Sequence, residues 1–349
     1  MDRFHEHFDL IEDPRAANAQ HDLTELLFIA LLASLCGADS CADMAEFGLA
    51  KESLLRRFMT LKHGVPSHDT FARVFRRLDP QAFEAAFRSF TEDFGKTVRG
   101  VVALDGKALR RAYDKGASHM PRAMVTAWAS ELRLALASEA CGQGGEAAAA
   151  IKLIEFLDLK GCIVTADALH CRRDTAAAIL ARGGDYALRI KNNQPKLLRI
   201  AQSRLAGPGV KRASREDGRM AEVAPVRAGQ ADDFPGLKAI ARVISHRPGE
   251  EPLERYYALS RALSPKRMMA VARAHWGIEN QLHWSLDVTF GEDAARNRKD
   301  NAPENLAVLR RMALNIARAH PDKKTSLRRK LLRAGWDETF LFDLIRHMR

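Results

Sequence analysis

Residues 100–106, GVVALDG, and residues 162–167, CIVTAD, decide how this chain reads. Each is a short apolar run of β-strand character that ends in a carboxylate. Working outward, AMVTAWAS (123–130) and LRLALAS (132–138) read as two further strands joined by a turn at Ser130–Glu131. EAAAAIKLIEFLDLKG (146–161) reads as a helix with a glycine stop, DTAAAILARGG (174–184) as a second helix, and DYALRIK (185–191) as a strand. The order β-β-β-α-β-α-β predicts an α/β layer with helices packed on a sheet.

On the N-terminal side, residues 21–61 place apolar side chains at intervals of three and four, with Asp22 as N-cap and Glu25 at capping-box spacing. Ser67 is expected to cap a second helical run whose apolar face is Phe71, Val74, Phe75 and Leu78, leaving Arg73, Arg76 and Arg77 outside. The first 97 residues are therefore expected to form a small all-helical domain. Beyond the α/β layer, about 200–262 reads as a β-rich insertion carried by MAEVAPV, LKAIARVISH and RYYALS. Residues 265–319 return to helix, and 321–349 are expected as a basic helical tail.

The 349 residues are 46% apolar and 28% charged, which excludes wholesale disorder and fibrous repeats. The apolar run at Leu26–Cys36 is too short to cross a bilayer, and MDRFHEHFDLIEDPR lacks the apolar core of a secretory signal. Five cysteines without CxxC spacing read as reduced thiols. A cytoplasmic protein with no membrane contact is expected. Its formal charge of +11 points to a polyanionic partner; residues 296–349 alone carry 14 Lys or Arg against 6 Asp or Glu, a net of +8.

Asp105 and Asp167 close adjacent apolar strands, and carboxyl ends of strands are where open α/β sheets build their sites. Two such carboxylates repel unless a cation lies between them, and Mg²⁺ prefers oxygen ligands. A third acid would complete a site for phosphodiester chemistry. Glu279, flanked by Trp276, Ile278 and Leu282, is the first candidate, because a carboxylate in an apolar segment is costly unless paired or ligating. Asp287, Glu292 and Asp293 lie at or past the helix end and are candidates only for assisting it. Two rival patterns are weaker. Gly142-x-Gly144-x-x-Ala147 followed by Asp167 imitates a dinucleotide fingerprint, and His275, Glu279 and His283 share the i, i+4, i+8 spacing of a helix-face zinc site. Trp276 and Trp284 are expected mainly in the core.

Seven stretches together resemble the transposases of bacterial insertion sequences that include the H-repeat-associated proteins of Rhs elements. They are IALLASLCGADSCADMAEFG (29–48), GVPSHDTFARVFRRLDP (64–80), VVALDGKALR (101–110), MVTAWASELRLALA (124–137), LDLKGCIVTADALH (157–170), YALRIKNNQPKLL (186–198) and the long segment from HWGIEN to RRMALN (275–315). The resemblance implies a ribonuclease-H-like DDE catalytic domain over 98–320, with a transposase-associated helical domain before it. It implies Asp105, Asp167 and Glu279 as catalytic metal ligands for Mg²⁺ or Mn²⁺. The implied partners are double-stranded DNA, both element ends and target, and further copies of the chain in a synaptic complex at the nucleoid. Lys107, Arg110, Lys191, Arg296 and Arg298 are the expected DNA contacts. Two departures stand out: Gln143–Ala147 keeps only Glu146 of the family's Lys-Ser/Thr-Asn-Glu-Ile, and Asp217–Val223 replaces a His-Gly-Arg-x-Glu-x-Arg segment. His275 stands where the wider superfamily often has arginine. A decayed DNA-binding copy and a nuclease without joining activity remain the alternatives.

Overall fold

The computed structural model describes residues 2–92, 98–113, 121–142, 144–215, 217–227, 229, 233–246 and 249–346. Gln143 lies outside them. Six helices come first: α1 (Asp2–Phe8), α2 (Leu23–Leu35), α3 (Cys41–Ala50), α4 (Glu52–Leu55), α5 (His68–Arg77) and α6 (Pro80–Glu92). Asp22 caps α2 by accepting from the Glu25 amide, and Ser67 caps α5 through the Thr70 amide. The Glu25 carboxylate does not close the expected capping box, because Thr60 and Leu61 donate to it instead. The closed box belongs to Ser40 and Asp43 at α3.

The sheet then follows in the order read from the sequence: β1 (Gly100–Tyr113), β2 (Pro121–Ala129), β3 (Leu134–Ala140), α7 (Gly145–Phe156), β4 (Cys162–Ala166), α8 (Arg173–Ala181) and β5 (Asp185–Ile190). The β-rich stretch is preceded by a helix that the sequence reading passed over, α9 (Pro195–Ala206). It contains four strands where three were expected: β6 (Lys211–Ser214), β7 (Arg219–Pro225), β8 (Ala239–Ser245) and β9 (Leu253–Leu259). All described strands join one nine-stranded sheet ordered β3-β2-β1-β4-β5-β9-β8-β7-β6. β1, β4 and β5 run parallel at its centre, and antiparallel meanders extend it on both sides. This order removes the dinucleotide reading. β3 is an edge strand separated from β4 by β2 and β1, so the Gly142–Ala147 turn does not link neighbouring parallel strands.

Alternation along β1 sorts side chains between two faces of the sheet. Val102 and Leu104 pack with Leu153, Ile154 and Ile179 under α7 and α8, while Ala103 and Leu109 face the other way. On that second face lie α10 (Pro265–Gly277), a π-helical segment (Ile278–His283), α11 (Trp284–Val288) and α12 (Ala302–Ala319). The sequence reading had one continuous helix from 265 through the π segment.

α12 fastens the N-terminal helices to the sheet. Asn305 Nδ2 donates to the Phe75 and Leu78 carbonyls at the end of α5, both at 2.9 Å. Asn315 pairs with both the amide and the carbonyl of Ala135 on β3, as another strand would. The expected basic tail forms α13 (Leu327–Trp336) and α14 (Glu338–Arg346). Their Leu331, Phe340, Leu341 and Leu344 enter the same apolar core as Phe28, Phe75 and Phe87. The C-terminal charge excess is also partly internal: Arg310, Arg311 and Lys330 are buried, with Lys330 donating to the Ala317 carbonyl at 2.8 Å.

Candidate active site

β1 and β4 pair in parallel up to Leu104 and Ala166, so Asp105 and Asp167 emerge side by side at the same height of the sheet. Asp105 does not end its strand. β1 runs on to Tyr113, paired after this point with β2 alone, because the residues that follow continue to alternate between the two faces. Glu279 reaches the site from the π-helical segment. A π turn inside an α-helix displaces the following side chains, and such insertions recur at functional sites. Glu279 is exposed, so the expected burial penalty is not what marks it.

Electrostatics bring the three acids together. Burial pushes the Asp105 carboxyl up to about 7, and the charges of Glu279 and then Asp167 add to that rise, with a smaller contribution from Glu146. Glu146 starts α7 and lies against Gly106, where a Cβ would come within 2.6 Å of its Oε2. Gly106 therefore admits a fourth carboxylate beside Asp105, one that the sequence reading noted only as the retained residue of a degraded motif. Asp167 behaves in the opposite way. Burial would raise its carboxyl, but Arg189 and then Lys191 outweigh this and hold it below the usual range. Arg189 Nη1 donates to Asp167 Oδ1 at 3.0 Å, and Lys191 Nζ is 3.8 Å from Oδ2. Lys191 was expected at DNA; Arg189 went unnoticed inside a strand otherwise read for its apolar pattern.

His283, one turn past Glu279, places Nδ1 3.7 Å from Asp105 Oδ2. Burial, reinforced by the Arg311 and Lys107 charges, lowers its imidazole to about 4 and keeps it neutral. His275 is buried and hydrogen-bonded through Nδ1 to Thr165 Oγ1 at 3.1 Å, and burial lowers it to about 4 as well. Among the described residues no three His, Cys, Asp or Glu side chains converge as a ready-made cage, for zinc or for any other ion. The donors of the acidic trio fit a hard divalent cation all the same: all are carboxylate oxygens, and the charges of Glu279 and Asp167 add to the burial that raises Asp105.

The expected phosphate contact at Lys107 is overturned. Lys107 projects from the same face of β1 as Asp105 but is only 8% exposed. Its Nζ lies 2.7 Å from Asp287 Oδ1, 2.9 Å from Asp293 Oδ1 and 3.3 Å from Glu292 Oε2. Burial would depress this ammonium; Glu292, with Asp287 and Asp293, outweighs that and raises it. Fully buried Arg311 completes the cluster, donating to Glu292 Oε1 at 3.0 Å and to the Ala307 carbonyl at 2.9 Å. Asp287, Glu292 and Asp293 are thus engaged by cations of the fold and do not face the trio as spare ligands. Arg110 is 72% exposed and pairs with Asp293 at 3.0 Å.

Arg296 and Arg298 are exposed on the segment between the acidic cluster and α12. The Arg76–Asp300 pair at 2.7 Å and a bond from the Asn301 amide to the Arg76 carbonyl bring that segment against α5. Exposed Arg73, Arg76 and Arg77 therefore border it. Trp276 and Trp284 are not core residues. Trp284 is 58% exposed, and Trp276 carries the Arg255 guanidinium 5.0 Å from its ring centroid. Trp276 also lines a cavity of about 470 Å³ between α10 and the added strands. Asp217 and Arg219 of the divergent segment share that lining, and Asp217 pairs there with Arg273 at 2.8 Å.

Two family models match the chain: the DDE_Tnp_1-associated family over residues 5–91 and the Transposase DDE domain family over residues 96–316. The "H repeat-associated putative transposase YhhI" of Escherichia coli strain K12 is 31% identical, covering 97% of this chain and 97% of its own length. An uncharacterised protein encoded in the dhlA 3′ region of Xanthobacter autotrophicus is 37% identical over 69% of this chain and 87% of its own. A cryo-EM structure of the piggyBac transposase synaptic complex with hairpin DNA aligns over 97% of this chain and 77% of its own, with a TM-score of 0.45 and 12% identity.

Proposed function

This chain belongs to the Transposase DDE domain family, and on that premise we propose that it is a DNA transposase that nicks at the ends of an insertion sequence and joins the freed 3′ ends to target DNA. The observation that carries this reading is the crowding of acids on Asp105: burial and the charges of Glu279 and Asp167, from a π turn and the neighbouring strand, raise its carboxyl to about 7. The five-strand centre β3-β2-β1-β4-β5, three antiparallel strands followed by two parallel ones, supports a ribonuclease-H-like core, with β6–β9 as an insertion that widens the sheet.

Asp105, Asp167 and Glu279 would hold the divalent cation, Mg²⁺ or Mn²⁺. When bound, it supplies Lewis acidity for the attacking and leaving oxygens of the phosphodiester. Asp105 gives up its proton as the site fills, and Asp167 is already ionised. The Lys107 cluster fixes β1 against the segment that follows Glu279, so two of the acids keep their relative height. Neutral His283 fills the space beside Asp105 without adding a competing charge. DNA lies across Arg296, Arg298 and the α5 arginines, which contact backbone phosphates and carry no sequence information. Further copies of the chain assemble on paired ends.

Incubating purified protein with labelled end duplex and plasmid target, in Mg²⁺ or EDTA, beside Asp167→Ala, tests this. The expected result is metal-dependent nicking and joined product, both lost in Asp167→Ala while DNA binding remains. Cleavage without joined product would make it a nuclease, and binding without cleavage in any metal would make it a decayed copy.

A further inference from the structure

We propose that Arg189 is a gate on the metal site: it holds Asp167 away from the other two acids until metal and DNA arrive, then turns to the phosphate. This deepens the transposase reading and rests on it.

Placement is the first ground. β4 and β5 pair in parallel with Ala166 opposite Leu188, so Arg189 stands beside Asp167 on one flank while Asp105 stands beside it on the other. Asp167 thus lies between an anion and a cation of the same sheet. Its Oδ1 accepts from Arg189 Nη1 at 3.0 Å, and its Oδ2 faces Lys191. The carboxylate is engaged by the cations of β5, and no three ligating side chains among the described residues are placed to hold a metal ion. An ion held by the three acids would compete with Arg189 for the lone pairs of Asp167.

The chemistry of the guanidinium is the second ground. It cannot be neutralised by losing a proton, and it binds carboxylate and phosphate with the same planar fork. A divalent cation entering beside Asp167 must compete with a fixed positive charge for the same lone pairs. Once Asp167 turns to the cation, the Arg189 donors lose their acceptor inside a half-buried site. A phosphodiester oxygen arriving at the acids restores it. Metal and DNA therefore each weaken the Arg189–Asp167 pair, and each favours binding of the other. Lys191, exposed and more distant, follows as a second cation for the same strand.

Mn²⁺ titrations of the full chain, followed by the electron paramagnetic resonance of the free ion, separate the possibilities. Wild type, Arg189→Gln, Arg189→Lys and Asp105→Ala would be compared with and without end duplex, after matched thermal midpoints establish folding. Without DNA, Arg189→Gln should bind Mn²⁺ about tenfold more tightly than wild type, and Arg189→Lys should fall between them. End duplex should tighten Mn²⁺ binding in wild type and barely change it in Arg189→Gln. At saturating Mn²⁺ the Gln variant should nick DNA at least tenfold more slowly. A merely structural arginine would weaken metal binding and cleavage together. Mn²⁺ affinity within twofold of wild type in Arg189→Gln, or weaker, overturns the gate. Wild-type Mn²⁺ binding that survives Asp105→Ala overturns the metal-site reading itself, and the gate with it.

Discussion

Asp105 and Lys107 are two residues apart on one strand and point to the same face, yet they anchor opposite kinds of acidic cluster. Around Lys107 three carboxylates meet an ammonium and a guanidinium, and Glu292, the most deeply buried, is held below its usual range because Arg311, Arg310 and Lys107 outweigh its burial. Around Asp105 the acids face one another, and burial plus like charge drive one of them up to about 7. Counting carboxylates cannot tell these clusters apart; charge balance can. The balanced cluster ties the sheet to the helices. The unbalanced one has Arg189 and Lys191 at Asp167 but, among the described residues, no cation at Asp105 to offset its rise.

Removing the balancing charge from the first cluster should give the largest effect. Lys107→Ala leaves Asp287, Glu292 and Asp293 partly or fully buried without their shared ammonium, and a broken buried pair costs about 3–5 kcal/mol. Urea denaturation should register a loss of that size, with Lys107→Arg losing less. If Lys107 were a phosphate contact, stability would be unchanged and DNA affinity would fall.

Removing negative charge from the second cluster should do the reverse. The Asp105 carboxyl titrates near 7 in the fold and near 4 unfolded, so the folded state holds its proton through that window. Without metal, the contribution of Asp105 to stability should be greatest below about pH 4 and should fall as the pH rises through 7. Asp105→Asn should abolish most of this fall and stabilise the metal-free protein at pH 8 by about 1–3 kcal/mol, while abolishing nicking. Mn²⁺ should raise the wild-type thermal midpoint more at pH 8 than at pH 5 and leave the variant unchanged. A variant less stable than wild type at pH 8 would place Asp105 in the balanced class.

The strand order 100–191 was legible because apolar runs and glycine stops are local signals. So was the placement of Asp105 and Asp167, which follows from two apolar runs that each end in a carboxylate. Four features were not legible, each for a physical reason. The π turn has no compositional mark, since it depends on how α10 and α11 meet the sheet. Lys107 looked like a surface cation because its partners lie about 180 residues away, beyond any pattern in its own strand. Arg189 became visible only through its register with Asp167, a property of the paired strands rather than of DYALRIK. The exposed Trp276 and Trp284 defeated the rule that large aromatics go inside.

The smallest effect sharpens the comparison from outside both clusters. Arg296 and Arg298 belong to neither: they are exposed, on a segment tied down by Asn297 to Cys41 and by Asn301 to Leu78 as well as by the Arg76–Asp300 pair. Single Arg→Ala changes there should alter stability by no more than about 0.5 kcal/mol. Each should weaken DNA binding by about three- to tenfold and lower the slope of log affinity against log salt by about one unit. Titrations of end duplex at several salt concentrations read both quantities. Arg311, equally cationic and 15 residues on from Arg296, cannot behave this way, because its charge is already spent on Glu292 inside the fold. Asp300→Ala should weaken DNA binding without removing any positive charge. It removes one of several ties on the segment that presents both arginines, so affinity should fall slightly while the salt slope stays near the wild-type value. Affinity unchanged with Asp300→Ala would mean that the arginines hold their positions without that pair and that it does nothing for binding.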